Sequence, residues 1–382
     1  MLLGVVGATF ALAIMRLALP AIYERISSPT NQPVLAAIEP RPVNRRVYRA
    51  ITLPTGTRVP KLVRSEYNKM PLVDVNDRGD FIFLTRPPDS EPLEYLHVYR
   101  GKSVSSGPVP SDTRWRLTPS GKIIKWHIGG GMFPMFSYGR VTGSSNGYLP
   151  FNELRFRTRI DDDGTVLNIQ YVTARRQHFY ALRRDYVLGL GEVGKVAKEI
   201  KRYSQPVDLL EVDEDGAMWM RQYADQKNSQ KSSLVKIVHD KSQTIAMPNG
   251  YGAVERVCVT GKNLVCSFGN FVSSEPIRSF SRVSGQWKEL PIPAGFEFSY
   301  VQKVLYDGRI VGFITDANEE NMKQVLWDGE SVAILNDLPA WPKNGEYSFI
   351  TNITRRGDMV IRNVLNTGSG TNESYLIHIA EK

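Results

Sequence analysis

A polar position recurs seven times along this chain, at intervals of 42 to 52 residues, and four of its occupants are basic. Each occupant is followed directly by valine, leucine or isoleucine. The seven residues are Asp74, Arg116, Arg159, Glu211, Arg256, Lys303 and Asn352. Because arginine and lysine bind carboxylate and phosphate groups, the basic members would form an anion-binding lining if the fold brought them together. The alternative is a solvated lining whose charges pair with one another.

A second candidate surface is rich in arginine and lies between residues 155 and 184, where aromatic residues are interspersed. Its members are Arg155, Arg157, Arg175, Arg176, Arg183 and Arg184. Basic side chains among aromatic rings suit single-stranded nucleic acid or an anionic polysaccharide. The alternation of Arg155, Arg157 and Arg159 puts three guanidinium groups on one face of a predicted strand. The alternative is a solvated sheet edge whose charges prevent pairing with another chain.

We find no sequence motif for catalysis, metal binding or cofactor binding. The five histidines are scattered, and no histidine or second cysteine pair accompanies Cys258 and Cys266 to complete a zinc site. Two acidic turns, residues 161–164 and 211–216, present carboxylates beside a glycine, as calcium loops do. Equivalent turns elsewhere lack carboxylates, and Asp favours tight turns for conformational reasons. We therefore predict no metal and no cofactor, while an active site assembled from distant residues stays open.

The elements that must position these residues form an internal repeat. A glycine follows each polar position by five residues, and apolar residues stand four before and three after every one of these glycines. The clearest copy, residues 299–339, contains four strand-like segments separated by two Asp-Gly turns and a polar loop. Each repeat therefore predicts a four-stranded antiparallel sheet. The glycines are Gly79, Gly121, Gly164, Gly216, Gly261, Gly308 and Gly357.

This repeat predicts an all-β fold, a seven-bladed β-propeller over residues 47–382. A single four-stranded unit cannot bury both of its apolar faces, so neighbouring sheets must stack, and radial stacking leaves a central channel. The first strand of each blade lines that channel, so we expect the polar position to face it. Residues 47–53 are expected to form the outer strand of the last blade and so close the ring.

The third copy is the longest, and residues 191–203 follow its strands. Apolar residues in this segment recur at helical spacing, which predicts a short amphipathic helix. The helix would cap a blade or bind a partner.

The two cysteines flank the turn at Gly261, and the pairing of the hairpin decides whether they can bond. A loop of residues 261–263 would place them opposite each other, whereas a bulged turn would separate them. The turns in other copies favour the second, so we predict buried free thiols.

The turn and strand pattern of VLYDGRIVGF and QVLWDGESVAIL in the sixth copy, and more weakly of DVNDRGDFIFL in the first, resembles the extracellular HAF-repeat family. Members of that family look like bacterial propellers with an Asn/Asp-Gly hairpin and a Leu-Trp-x-x-Gly step. The resemblance covers the repeat region and implies a propeller fold and export from the cell. It implies no catalytic residues.

Residues 1–23 form the longest apolar run and predict a hydrophobic helix. This helix would be a signal peptide or a membrane anchor; a helix buried in the domain is the third alternative. Residues 24–46 are rich in Pro, Ser and Asn and predict a linker. We therefore expect a periplasmic or extracellular protein, either free or held at the membrane by residues 1–23.

A net charge of +9 favours an acidic partner. Because the chain is expected to be exported, nucleic acid is disfavoured. We predict a monomeric binding or scaffold module for a protein or for an anionic glycan or lipid. The alternative is a propeller hydrolase or lyase acting on an anionic polysaccharide.

Overall fold

The computed structural model describes residues 60–64, 71–85, 93–100, 103–110, 113–117, 121, 123–128, 134–135, 151–153, 155–156, 166–171, 178–183, 186–192, 196–213, 215–225, 228–238, 241–269, 276–365 and 372–380. The predicted leader and linker lie outside these ranges. No helix within them is long and apolar enough to cross a membrane. Every strand in these ranges belongs to one of seven sheets, numbered here along the chain.

The last sheet, sheet seven, also contains the first strand of the described residues. It pairs β1 (Leu62–Arg64) with the last of three consecutive strands. Four other sheets each contain four consecutive strands that pair antiparallel in chain order.

Sheet one contains β2 (Leu72–Val75), β3 (Phe81–Thr85), β4 (Leu93–Arg100) and β5 (Ser103–Pro110). Sheet two contains β6 (Thr113–Leu117), β7 (Ile123–Ile128) and β8 (Pro134–Met135), and β9 (Phe151–Glu153) pairs parallel to β7. Sheet three contains β10 (Arg155–Phe156), β11 (Val166–Tyr171), β12 (His178–Arg183), β13 (Val187–Glu192) and β14 (Val196–Arg202).

Sheet four contains β15 (Val207–Val212), β16 (Met218–Asp225), β17 (Asn228–Val238) and β18 (Lys241–Ile245). Sheet five contains β19 (Ala253–Thr260), β20 (Asn263–Gly269), β21 (Arg278–Val283) and β22 (Gln286–Glu289). Sheet six contains β23 (Phe298–Val304), β24 (Ile310–Thr315), β25 (Lys323–Asp328) and β26 (Ser331–Ile334), followed by a 3₁₀ turn at Leu335–Asp337. Sheet seven is completed by β27 (Tyr347–Ile353), β28 (Asp358–Val364) and β29 (Asn372–Ile379).

The first strands of neighbouring sheets contact one another. Contacts join β11 to β15, β15 to β19, β19 to β23, β27 to β2, and β2 to β6. Sheets six and seven are joined by the N–H of Tyr306, which donates to the carbonyl of Arg355 at 2.8 Å. The first strands therefore lie along one common side, the side expected for the channel of a propeller.

Five first strands carry a β-bulge at the same place, directly before the recurring polar residue. The pairing shifts between residues 72 and 74, 209 and 211, 254 and 256, 301 and 303, and 350 and 352. A bulge sets two residues opposite one partner and so changes the alternation of faces. Consequently apolar residues three apart, such as Val301 and Val304, pack into the same core cluster, and the two residues between them point elsewhere.

The cores between sheets are built from the apolar positions that the repeat predicts. Trp327 of β25 is fully buried, and its indole N–H donates to the carbonyl of Pro291 at 2.7 Å. Gly312 lies directly beneath it, because a Cβ at this position would stand 2.6 Å from the Trp327 ring. Trp327 therefore packs sheet six against sheet five.

Buried hydroxyl groups also join sheets five and six. The Ser267 and Ser279 hydroxyls are 2.9 Å apart, and the Ser279 hydroxyl donates to the carbonyl of Ser299 at 2.8 Å. The N–H of Val301 donates to the Ser267 hydroxyl at 2.9 Å. These bonds fix the start of β23 against its neighbour and so hold the bulge that follows.

The last sheet is completed by an N-terminal strand, but the predicted segment was wrong. The outer position next to β29 is taken by Leu62–Arg64, which pairs antiparallel with residues 377–379. Residues 47–53, predicted for that place, lie outside the described ranges. Arg64 anchors the strand by donating to the carbonyls of Ala340 and Trp341 at 2.5 and 3.1 Å.

The third copy departs from the predicted frame in two ways. Its first strand is β11, after Gly164, because β11 contacts β15 and lies at the opposite edge of the sheet from β10. The strand predicted to carry Arg155, Arg157 and Arg159 is thus not the first strand. The helix predicted within residues 191–203 is also wrong, since Val196–Arg202 forms β14 and pairs with β13.

Both cysteines are buried free thiols, as predicted. Thr260 pairs with Asn263 across the two-residue turn 261–262, so Cys258 lies opposite Val265 and Cys266 opposite Val257. The two thiols therefore point to opposite faces of the sheet.

Candidate functional site

The bulges position the candidate residues of sheets one, four, five, six and seven. Glu211, Lys303 and Asn352 are partly buried, Asp74 is buried, and Arg256 is exposed. Arg116 lies in β6, which has no bulge, and its side chain lies outside the described part of the structure. Arg159 also lies outside the described ranges.

Asp74 joins three sheets through hydrogen bonds. Its carboxylate accepts the N–H of Leu117 in sheet two at 2.6 Å and the N–H of Val75 at 3.0 Å. The side-chain amide of Asn352 in sheet seven donates to the same carboxylate. Asp74 and Asn352 therefore hold neighbouring sheets together. These two members of the recurring polar position bond to each other.

Glu211 and Lys303 lie within electrostatic range of each other. They belong to sheets four and six, yet Lys303 acts electrostatically on Glu211, as does Arg355 of sheet seven. Burial raises the pKa of Glu211, and these two cations partly oppose that rise. The Glu211 carboxylate accepts the N–H of Val212 at 3.2 Å, whereas Lys303 makes no hydrogen bond or ion pair with any described residue.

Toward the starts of β15, β19 and β23, side chains from three sheets form a second group, which shares Arg256 with the recurring polar position. We call it the mouth cluster. Its members are Asp208, Arg221, Tyr223, Glu255, Arg256, Tyr300, Phe313 and Glu319.

Arg221 organises one half of the mouth cluster. Its guanidinium donates twice to Oδ2 of Asp208, at 2.6 and 2.8 Å, and reaches Oε1 of Glu255 in sheet five at 3.4 Å. The Tyr223 hydroxyl donates to the same Asp208 oxygen at 2.7 Å. A further bond at 3.0 Å runs from Arg221 to the carbonyl of Val254. This network ties β16 to β19 and fixes both carboxylates.

Burial is the largest influence on the pKa values of Glu255, Tyr223 and Tyr300 in the mouth cluster. Burial raises the pKa of Glu255, although Arg221 and Arg256 act to lower it. Burial likewise raises the pKa of Tyr223 and of Tyr300. These groups are positioned where a charged form loses hydration, as is common at binding and catalytic sites.

Aromatic rings form the other half of the mouth cluster. Tyr300 and Phe313 stack with centroids 4.6 Å apart and planes 15° apart. The Arg256 guanidinium of sheet five lies over the Phe313 ring at 5.5 Å from its centroid. Glu255, Arg256 and Glu319 all act electrostatically on Tyr300. The cluster therefore combines fixed carboxylates, an exposed arginine and an aromatic surface.

Sequence reasoning identified Arg256 but missed the rest of this cluster. Asp208 and Tyr300 both stand eight residues before their repeat glycine, and Arg221 and Phe313 both stand five after theirs. Each pair is directly opposed across the first hairpin. The signal that points to them is this shared position in the repeat, since the residue types differ from copy to copy.

The arginine-rich surface is placed only in part. Arg155 begins β10, which pairs parallel with β14 at the outer edge of sheet three, and Arg183 ends β12. Arg157, Arg175, Arg176 and Arg184 lie outside the described ranges.

The second acidic turn uses its carboxylate within the turn. Oδ1 of Asp213 accepts the N–H groups of Asp215 at 3.0 Å and Ala217 at 2.8 Å. In the described part of the chain, no group of three or more His, Cys, Asp or Glu side chains could hold a metal ion.

No family model matches the sequence, and no curated protein matches it. Among solved structures, the chain is similar to the β-propeller domain of the trilobed protease from Pyrococcus furiosus. The identity is 13%, the TM-score is 0.43, and the match covers 69% of this chain and 83% of that one.

The chain is also similar to an acylaminoacyl peptidase solved in complex with Z-Gly-Gly-Phe-chloromethyl ketone. The identity is 11%, the TM-score is 0.50, and the match covers 85% of this chain and 52% of that one. Acylaminoacyl peptidase from Pyrococcus horikoshii matches at 10% identity and a TM-score of 0.49, over 83% of this chain and 53% of that one. The chain thus spans about half the length of these two peptidases. At such identities the likeness concerns the fold alone. With the sheet topology, it defines a β-propeller fold.

Proposed function

We propose that this chain is a seven-bladed β-propeller, similar to the HAF-repeat propellers, that works outside the cytoplasm as a monomeric binding module. Its ligand is a protein or glycan carrying anionic groups, received on the channel side. The leader-like residues 1–23 support export, and the seven repeat glycines support the blade number.

The observation that carries the proposal is the state of two cations on the channel side. Arg256 is exposed and Lys303 is half-buried, and neither makes a hydrogen bond or ion pair with any residue that the structure describes. Their N–H donors are therefore available to a ligand, although Glu211 attracts Lys303 and Glu255 attracts Arg256 electrostatically. An anionic ligand would accept these donors, and the net charge of +9 would assist its approach.

The test is binding of anionic probes by calorimetry: an acidic peptide, polyphosphate and an oligogalacturonide, each with a neutral counterpart. Alanine at both Arg256 and Lys303 should weaken binding by roughly 100- to 20,000-fold, because each contact with a charged group contributes about 1.5–3 kcal/mol and two contacts are removed. The control is Lys288→Ala, since Lys288 is exposed and already paired with Glu330 at 2.5 Å. Unchanged binding by the double variant would overturn the proposal.

The site of action is tested separately. Fractionation of the native host and intact-mass measurement should find the chain outside the cytoplasm, either shortened by its leader or held in the membrane. A full-length soluble chain in the cytoplasm would overturn export and leave the binding proposal standing.

A second candidate is a hydrolase or lyase acting on an anionic polysaccharide. The mouth cluster favours it, because the carboxyl groups of Asp208 and Glu255 converge there with the hydroxyl groups of Tyr223 and Tyr300. Burial raises the pKa values of Glu255, Tyr223 and Tyr300, and such groups can transfer protons. The assay is release of reducing ends and of unsaturated products from anionic polysaccharides. Loss of activity in Glu255→Gln, with binding retained, would identify an enzyme.

A further inference from the structure

Several polar atoms of the mouth cluster have no partner among the described residues. Asp208 receives all three of its donors on Oδ2, which leaves Oδ1 without one. Glu255 contacts Arg221 through Oε1, which leaves Oε2 without a donor. The Tyr300 hydroxyl and the Arg256 guanidinium likewise make no hydrogen bond there.

The groups that carry these atoms are held in place. Arg221 is 13% exposed and its guanidinium fixes the two carboxylates from sheets four and five. Phe313 is buried and holds both the Tyr300 ring and the Arg256 guanidinium. A binding site needs such support, because the side chains that touch the ligand must be held in position by packing and hydrogen bonds with the residues around them.

Together these groups offer two fixed acceptors, one hydroxyl, one cation and part of an aromatic surface. A compact anion such as phosphate would meet Arg256 but would offer few donors to the acceptor atoms of Asp208 and Glu255. A cationic ligand would meet the carboxylates but would be repelled by Arg256. The array suits a ligand that carries one carboxylate, several hydroxyl donors and an apolar ring face.

We propose that the mouth cluster binds a saccharide that contains uronic acid. The sugar carboxylate pairs with Arg256, its hydroxyl groups donate to Oδ1 of Asp208 and Oε2 of Glu255, and the C–H face of a sugar ring packs on Tyr300. This inference rests on the proposed binding function and names the ligand class of that function.

The experiment measures binding of an oligogalacturonide and of the matching neutral galactose oligomer to the whole chain. Arg256→Gln should weaken uronide binding by roughly 10- to 100-fold, and Tyr300→Ala by roughly tenfold or more. Tyr300→Phe keeps the ring and should lose less, which guards against a folding defect in the alanine variant. Lys288→Ala is the matched control and should bind as the native chain does.

The outcomes separate the two proposals. Preference for the uronide, lost in the Arg256 and Tyr300 variants, supports the inference. Binding of an acidic peptide or polyphosphate with no binding of the uronide overturns the inference but leaves the anion-binding function standing. Equal affinity for the neutral oligomer also overturns the inference. No binding of any anionic probe overturns both.

Discussion

Replacement of Asp74 by alanine is expected to lower the free energy of unfolding by about 4 kcal/mol. The carboxylate is 2% exposed and accepts donors from sheets two and seven as well as its own. Its removal would leave the buried N–H groups of Leu117 and Val75 without this acceptor, whereas the partly exposed amide of Asn352 could turn to water. Each buried donor that loses its partner costs roughly 1–3 kcal/mol, so two such donors give a range of about 2–6 kcal/mol.

Urea unfolding followed by tryptophan fluorescence measures this loss. The matched control is Asp316→Ala, because Asp316 also accepts two backbone N–H groups, from Glu320 at 3.0 Å and Asn321 at 3.3 Å, but in an exposed loop. Water can replace that acceptor, so the control should lose less than about 1 kcal/mol. Asp74→Asn keeps one acceptor oxygen and should fall between the two. Equal losses for the two alanine variants would refute the role given to Asp74.

Three further predictions concern packing, pH and thiol reactivity. Gly312→Ala should destabilise by roughly 1–3 kcal/mol in the same urea assay, because the added methyl group meets the backbone carbonyl of Tyr300 and the Trp327 ring. A loss within error would contradict that packing. Burial raises the pKa of Glu211, so between the unfolded and the folded pKa the folded chain holds a proton that the unfolded chain has released. The native chain therefore loses stability as the pH rises from the unfolded pKa of this group through its higher folded pKa. Glutamine does not titrate, so the melting temperature of Glu211→Gln relative to that of the native chain should rise between pH 4 and neutral pH. A relative melting temperature that falls over this range would contradict the raised pKa. Burial raises the pKa of Cys258 to about 12 and that of Cys266 well above its ordinary value. A thiol reagent should therefore modify both cysteines only after unfolding. Rapid modification of the native protein would show instead that they are accessible.

The repeat frame could be predicted because its signals are local. Gly79 and Gly308 adopt positive φ values of 80° and 86°, which glycine adopts at low cost, so the hairpin demands that residue type in nearly every copy. The apolar positions around each glycine, such as Val304 and Val311, are buried between sheets for the same reason in each repeat. A structural requirement that recurs in every repeat therefore places the same type of residue at the same repeat position.

Features that depend on a single contact have no recurring sequence pattern. The closing strand, Leu62–Arg64, has only three residues, too few to show strand alternation, and it is defined by its pairing with β29. In the third copy, Gly164 precedes the first strand instead of following it. The repeat pattern therefore predicted a first strand before Gly164, whereas the first strand is β11 and Arg155 lies in β10 at the opposite edge of the sheet. The partners of Arg221 come from two different sheets, and only the pairing of β15 with β16 brings Asp208 within reach.

The bulges explain why the channel side is polar while the strands that form it are strongly apolar. In a regular strand, alternate residues share a face, so Val254 and Arg256 would point the same way. The bulge breaks this alternation, so Val254 and Val257 both enter one core cluster and the intervening Glu255 and Arg256 turn away from it. The sequence signal is an apolar pair three residues apart within a strand, a spacing that a regular strand cannot bury on one face. A first strand with that spacing presents two adjacent side chains where a regular strand presents one, and in sheet five those two are the carboxylate and the guanidinium on which the proposed saccharide site depends.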